Sequence, residues 1–141
     1  MRYSNSNITK SALWSLRIVM YFMAFYFFTM GLALILFPQF LTRAAGEPSG
    51  RILGMLRGAG GSIIPYSLMY ILVAIKPLER RGFALIIACA NILAVIIDFT
   101  SVYLKEYQIS QAMIDVPFEL LSLFVLVKFY SNQGVKQLLK N

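Results

Sequence analysis

The sequence predicts an all-α fold, an antiparallel bundle of four transmembrane helices forming one domain over residues 1–141, with both termini cytoplasmic. Three observations predict it. Hydrophobic residues make up 59% of the chain and charged residues only 13%, against a charged share of about 25% in soluble domains. A soluble fold of this length would carry more apolar side chains than its interior could hold, whereas lipid lets outward faces stay apolar. Four segments are long enough to cross ~30 Å of hydrocarbon. The basic residues gather in alternate connections between those segments.

The first helix is expected over residues 12–37, where Ile18 to Phe37 form an uncharged run of twenty residues. That is the length of one crossing and too long for the core of a signal peptide. The second, 51–75, follows Glu47-Pro48-Ser49-Gly50, a turn sequence that also suits a helix start, and is interrupted by Arg57 and Pro65. The third, 82–104, carries Asn91 and Asp98; the fourth, 112–130, carries Asp115, Pro117 and Glu119. In that fourth segment only Leu120 to Val127 is uninterrupted, so its insertion depends on packing against the other three. Backbone groups in lipid are satisfied only in helices or closed barrels, and four runs of this length rule out a barrel. The basic tail, 131–141, places Val135, Leu138 and Leu139 beside Lys136 and Lys140 after Gly134, the pattern of a short interfacial helix or a frayed end.

Orientation follows from charge. Of thirteen Lys and Arg, nine fall on one side of a four-span arrangement: Arg2, Lys10 and Arg17, then Lys76, Arg80 and Arg81, then Lys128, Lys136 and Lys140. Arg43, Arg51, Arg57 and Lys105 fall toward the other. The positive-inside rule makes the first side cytoplasmic, with Trp14 and Tyr130 as interfacial anchors there and Tyr103 and Tyr107 opposite. The net charge of +7 points to membrane lipids with anionic headgroups as partners. It does not point to nucleic acid, because the basic residues flank apolar segments and form no stripe with interleaved aromatics. Cys89 is the only cysteine and the chain has no histidine, so neither an internal disulfide nor a zinc site is expected. No nucleotide-binding loop, metal-ligand spacing or serine triad is present, and no cofactor is expected.

The strongest functional signal is a set of ionisable residues inside the spans. Arg57, Asp98, Asp115 and Glu119 fall at similar depth in the extracytoplasmic half. A charge near the middle of a lone transmembrane helix costs roughly 2.5–3.5 kcal/mol on insertion scales, so such residues turn inward, pair, or line a wet cavity. Asp115 and Glu119 are four apart on one helical face, and Asn91 and Asp98 are seven apart on another. Tyr26 and Thr29 add hydroxyls from the first helix. Arg57 is expected to pair with Asp98 or Glu119. One guanidinium cannot balance three carboxylates, so a shared proton or a bound cation is needed. The expected ligand-binding set is Arg57, Asn91, Asp98, Asp115, Glu119, Thr29 and Tyr26. Its plainer alternative is a salt-bridge network that fixes helix register. Gly54, Gly58 and Ser62, spaced by four, form a face on which another helix can approach closely, within the chain, in a homo-oligomer or in a larger complex. The aromatic residues Tyr21, Phe22, Phe25, Tyr26, Phe27 and Phe28 encircle the first helix, as lipid contact and ordinary packing require.

Gly31-Leu32-Ala33-Leu34-Ile35-Leu36-Phe37-Pro38, a polar loop, and Arg57-Gly58-Ala59-Gly60-Gly61 early in the second helix resemble the DoxX-like group of small bacterial four-helix membrane proteins. The resemblance covers about Gly31 to Tyr130 and implies a four-helix bundle in the bacterial inner membrane, with function left open. Asp115-Val116-Pro117-Phe118-Glu119 is similar to the Pro-x-Glu signature of membrane-bound lycopene cyclases, but Leu120 stands where those carry a second acid. The architecture is also similar to that of the four-helix sterol-isomerase and sigma-2-receptor class, whose buried acids bind amines or stabilise carbocations. Three functions compete: a protein that binds or translocates a lipophilic or cationic small molecule, an accessory subunit of a membrane complex, and an isomerase- or cyclase-type enzyme.

Overall fold

The computed structural model describes the backbone at residues 3–42, 49–106 and 108–138 and the side chains at residues 10–40, 49–106 and 108–131. Arg2, Arg43, Glu47, Pro48, Tyr107 and Lys140, together with the side chains beyond Ser131, lie outside the described residues. The fold is all-helical, with no strand among the described residues. It consists of α1 (Tyr3–Leu36), α2 (Pro38–Thr42), α3 (Gly50–Ile75), α4 (Arg81–Tyr103) and α5 (Ile109–Leu138). Three stretches are long and apolar enough to cross a membrane: Lys10–Leu36, Gly50–Ile75 and Arg81–Tyr103. The chain therefore reads as a multi-pass membrane protein.

Helix boundaries differ from the expected ones where polar sequence extends a helix without breaking it. α1 begins at Tyr3, because Ser, Asn, Thr and Lys there include neither Pro nor Gly. α5 runs unbroken through Gly134 to Leu138, so the tail continues the last helix and does not start a new one. The expected start of α3 is as anticipated: Ser49 is its N-cap, and its Oγ accepts the Ile52 N–H at 3.4 Å. At the other end Arg17 of α1 donates from Nε to the Ala74 carbonyl (3.1 Å) and from Nη2 to that of Ile75 (3.4 Å). Terminal helix carbonyls have no partner within their own helix and carry the negative end of the helix dipole, so a guanidinium is a well-matched cap. The turn into α4 is tied down by Tyr130, whose hydroxyl donates to Pro77 O at 2.6 Å. α4 ends in a Schellman motif, with Glu106 N–H to Ser101 O (2.9 Å) and Lys105 N–H to Val102 O (3.1 Å). Lys105 holds the left-handed position, φ 61°, that glycine usually fills.

α1 pairs most extensively with α3, and α4 with α5. α1 and α3 touch backbone to backbone at Gly31 and Gly60. A Cβ on Gly60 would lie 2.6 Å from Gly31 O and 2.9 Å from Leu34 Cβ. Only glycine permits this approach. Toward the end of the bundle where α1 begins, Leu16, Met20, Met23, Tyr70, Val73, Ile87, Leu126 and Phe129 form a closed apolar core. Outside it, Ile18, Phe25, Met55, Leu68, Leu85, Leu93, Ile96, Phe124 and Val127 are exposed around the bundle, as a lipid-facing surface requires.

Candidate functional site

The polar residues form a layer directly above the apolar core, at the seam between the α1–α3 pair and the α4–α5 pair. Asn91 of α4 is its hub. Its Oδ1 accepts from the hydroxyls of Tyr70 (3.0 Å) and Tyr66 (3.2 Å) on α3, and its Nδ2 donates to Ser122 Oγ on α5 (3.0 Å). Tyr66 and Tyr70 are four apart and so present both hydroxyls to the same neighbour. A buried amide satisfied on three sides is a structural cross-link, and Asn91 has little capacity left for a ligand.

Farther from the core lie the acids. Tyr26 of α1 donates its hydroxyl to Asp115 Oδ1 on α5, the direct bond between these two helices in this layer. One turn along α5, Glu119 is 6% exposed, and its Oε2 is buried with no hydrogen-bond partner. The carboxylates of Asp98 and Asp115 and the hydroxyls of Tyr26, Tyr66 and Tyr70 are all within electrostatic range of it. An unsatisfied buried polar atom costs about 1–3 kcal/mol, and more when charged. Pro117 lies between the two acids, and because α5 starts at Ile109 it occupies the ninth helical position and not the first turns. There it removes the N–H that the Met113 carbonyl would otherwise accept.

Aromatic rings wall the acid layer. Phe118 of α5 packs on Phe22 and Tyr26 of α1 with centroids 5.6 and 5.1 Å apart. Phe27 packs on Tyr66 and Tyr70 of α3 at 5.3 and 5.4 Å. The aromatic residues of α1 therefore divide: Tyr21, Phe22, Phe25 and Phe28 are exposed, while Tyr26 and Phe27 are half-buried against the seam.

Two expected site residues stand apart. Arg57 is exposed on α3 and forms no ion pair with Asp98 or Glu119; the ion pair at Lys76 and Glu79 lies at the far end of the bundle. Arg57 sits seven residues into α3, about 10 Å from its end at 1.5 Å per residue, close enough for its long stem to carry the guanidinium to the membrane surface. Thr29 is exposed too, and its hydroxyl donates back to Phe25 O and Tyr26 O at 2.9 Å, so it needs no partner in the bundle. Asp98 is half-buried on α4 beside the acid layer. Three participants were missed in the sequence: Tyr66, Tyr70 and Ser122. Ser122 had a signal, since Asp115, Glu119 and Ser122 repeat at helical spacing on one face.

The Gly54, Gly58 and Ser62 face is not the one that contacts α1. All three are exposed, a Cβ at Gly54 or Gly58 would meet nothing within 4 Å, and Ser62 Oγ donates back to Gly58 O at 3.2 Å. Among the described residues, no group of three or more His, Cys, Asp or Glu is placed to hold a metal ion. Compared with protein-family models, curated proteins and solved structures, the chain matches none of them.

Proposed function

We propose that this chain is a four-span membrane protein that binds, or passes through its extracytoplasmic half, a lipophilic organic cation. The observation that carries this reading is Glu119, a buried carboxylate whose Oε2 has no donor while Asp115 and Asp98 add negative charge beside it. A cation with an apolar body fits both the charge and the surrounding rings, whose π faces attract positive charge. Among the described residues the acids are distributed along a seam and not gathered into a coordination shell, which favours an organic cation over a metal ion.

As the fourth span, α5 turns Asp115, Glu119 and Ser122 toward the seam and leaves Leu120, Leu121, Phe124 and Val127 for lipid. The basic residues favour cytoplasmic termini, and the DoxX-like segments favour a bacterial inner membrane. Cysteine labelling on a Cys89→Ser background checks the orientation. Ser49→Cys is expected to react from outside intact cells, and Ser131→Cys only after permeabilisation; the opposite pattern inverts the arrangement.

Binding is tested with tetraphenylphosphonium, a permanent lipophilic cation, on detergent-solubilised protein. Saturable binding is expected, with Glu119→Gln weakening it about tenfold, the equivalent of one lost charge-assisted contact of ~1.4 kcal/mol. Equal binding by both proteins removes Glu119 from the site. If neither protein binds and infrared spectra show a protonated-carboxyl band that Glu119→Gln abolishes, the charge is balanced by a proton and the pocket serves proton handling.

A second reading, an accessory subunit of a membrane complex or a homo-oligomer, is favoured by the uncovered Gly54 and Gly58 face. Native mass spectrometry of gently extracted protein separates the two readings by showing a bound small molecule, a second chain, or neither.

A further inference from the structure

At the opposite end of the bundle from the acids, where α1 enters the apolar zone and α3 leaves it, lies a cavity of ≈ 310 Å³. It lies apart from the acid layer and gives a defined place to the anionic headgroups that the net charge of +7 anticipates. Its walls are apolar: Leu13 of α1, Ile75 and Leu78 at the end of α3 and the following turn, and Phe129 of α5. Its rim carries two cations, Arg17 and Lys76, and one carboxylate, Glu79, paired with Lys76. We infer that this cavity is a binding site for an anionic phospholipid, taking the phosphate at Arg17 and Lys76 and the first methylenes of an acyl chain against Leu13, Ile75, Leu78 and Phe129.

Four features support the assignment. Arg17 is held in place, because two of the five N–H donors of its fork are fixed on the Ala74 and Ile75 carbonyls, leaving the others for an anion. Those bonds also neutralise the α3 C-terminus, whose dipole would otherwise repel a phosphate. Lys76 is poised to contribute as well. Its ion pair with Glu79, at 2.9 Å, is more than half exposed on both sides, and such surface pairs are held by about 0–1 kcal/mol. The lysine can leave it for a phosphate, which offers more acceptor oxygens. Arg80 and Arg81, exposed on the same turn, add attraction toward an anionic surface. The volume is at the lower end of the ~300–1,000 Å³ typical of ligand pockets. It suits a headgroup with a short length of chain, the remainder lying in the bilayer along the exposed faces of Ile75 and Leu78.

Native mass spectrometry of the full chain in detergent, titrated with phosphatidylglycerol or phosphatidylcholine, tests the inference. Phosphatidylglycerol is expected to bind at least fivefold more tightly, since a single basic residue near an anionic headgroup is worth about 1 kcal/mol. Lys76→Gln is expected to remove about fivefold of that affinity, and Leu78→Trp, which fills the cavity, to reduce it as well. Lys105→Gln, at the other end of the bundle, should change nothing. Lys76 and Leu78 are both at least half exposed, so the variants are expected to fold, as their elution in size-exclusion chromatography verifies. Equal affinity for the two lipids overturns the inference. So does a phosphatidylglycerol preference that survives both substitutions, or full displacement of the lipid by millimolar glycerol phosphate, which would show that only the anion is recognised.

Discussion

Gly60→Ala is expected to destabilise the bundle by about 2–3 kcal/mol, in the upper range of over-packing penalties. The new methyl would sit 2.6 Å from Gly31 O and 2.9 Å from both Ile35 Cγ1 and Leu34 Cβ. The first of these is backbone, which cannot rotate aside, so α1 and α3 must separate along the pairing that dominates the fold. Elsewhere in a helix the same change gains about 1 kcal/mol in propensity. Gly54→Ala and Gly58→Ala, with nothing within 4 Å, are therefore expected to be neutral or mildly stabilising in a monomer. Unfolding midpoints in mixed detergent micelles compare the three. If Gly60→Ala matches Gly58→Ala, the helices do not meet where we describe.

Three spans were legible in the sequence because they are long and predominantly apolar, and the start of α3 because the turn sequence ending in Ser49-Gly50 suits a helix start. Asp115 and Glu119 were legible as a shared face because helical spacing alone aligns them. Which way α3 turns was not legible. Lipid and protein interior are both apolar, so hydrophobicity cannot distinguish them as water and core are distinguished in a soluble domain. Arg57 illustrates the consequence: its charge argued for the interior, but a stem long enough to reach the surface satisfies it on the outside. Thr29 misled for a related reason, since a hydroxyl that bonds to its own helix carries no directional information. Among the small residues of α3, spacing pointed to Gly54, Gly58 and Ser62 as the contact face, whereas it is Gly60 that meets Gly31. Tyr66 and Tyr70 carried no signal in the sequence, because an aromatic ring in an apolar span does not show which way its hydroxyl points, although it is their hydroxyls that Asn91 requires.

Asn91→Leu is expected to cost about 2–3 kcal/mol. The substitution preserves approximate size while removing three interhelical bonds, to Tyr66, Tyr70 and Ser122. Measured interhelical bonds in membrane proteins average about 0.6 kcal/mol and reach ~1.7. Tyr66 keeps a long contact to Ile87 O at 3.4 Å, which tempers the loss. A double-mutant cycle with Ser122→Ala isolates one link. Ser122→Ala alone strands the Asn91 amide, so the two losses are expected to be less than additive by about 0.5–1 kcal/mol. Strict additivity would mean that Asn91 and Ser122 do not share a bond in solution.

The polar stripe on α5 also bears on how the chain is made. α5 leaves the ribosome after α1, α3 and α4, and among the described residues it lies outside the three stretches long and apolar enough to cross a membrane. The groups that its stripe contacts, Tyr26 on α1 and Asn91 on α4, both precede it in the chain. A nascent protein halted before Ile109 holds Tyr26 and Asn91 without their α5 partners, while on the proposed four-span reading a free α5 would have to take Asp115 and Glu119 into lipid unaided. Vectorial synthesis resolves the conflict, because every partner is already in the membrane when the acids arrive. On the four-span reading proposed here, the packing of α5 against α1 and α4 is thus the step that satisfies the polar groups of the seam.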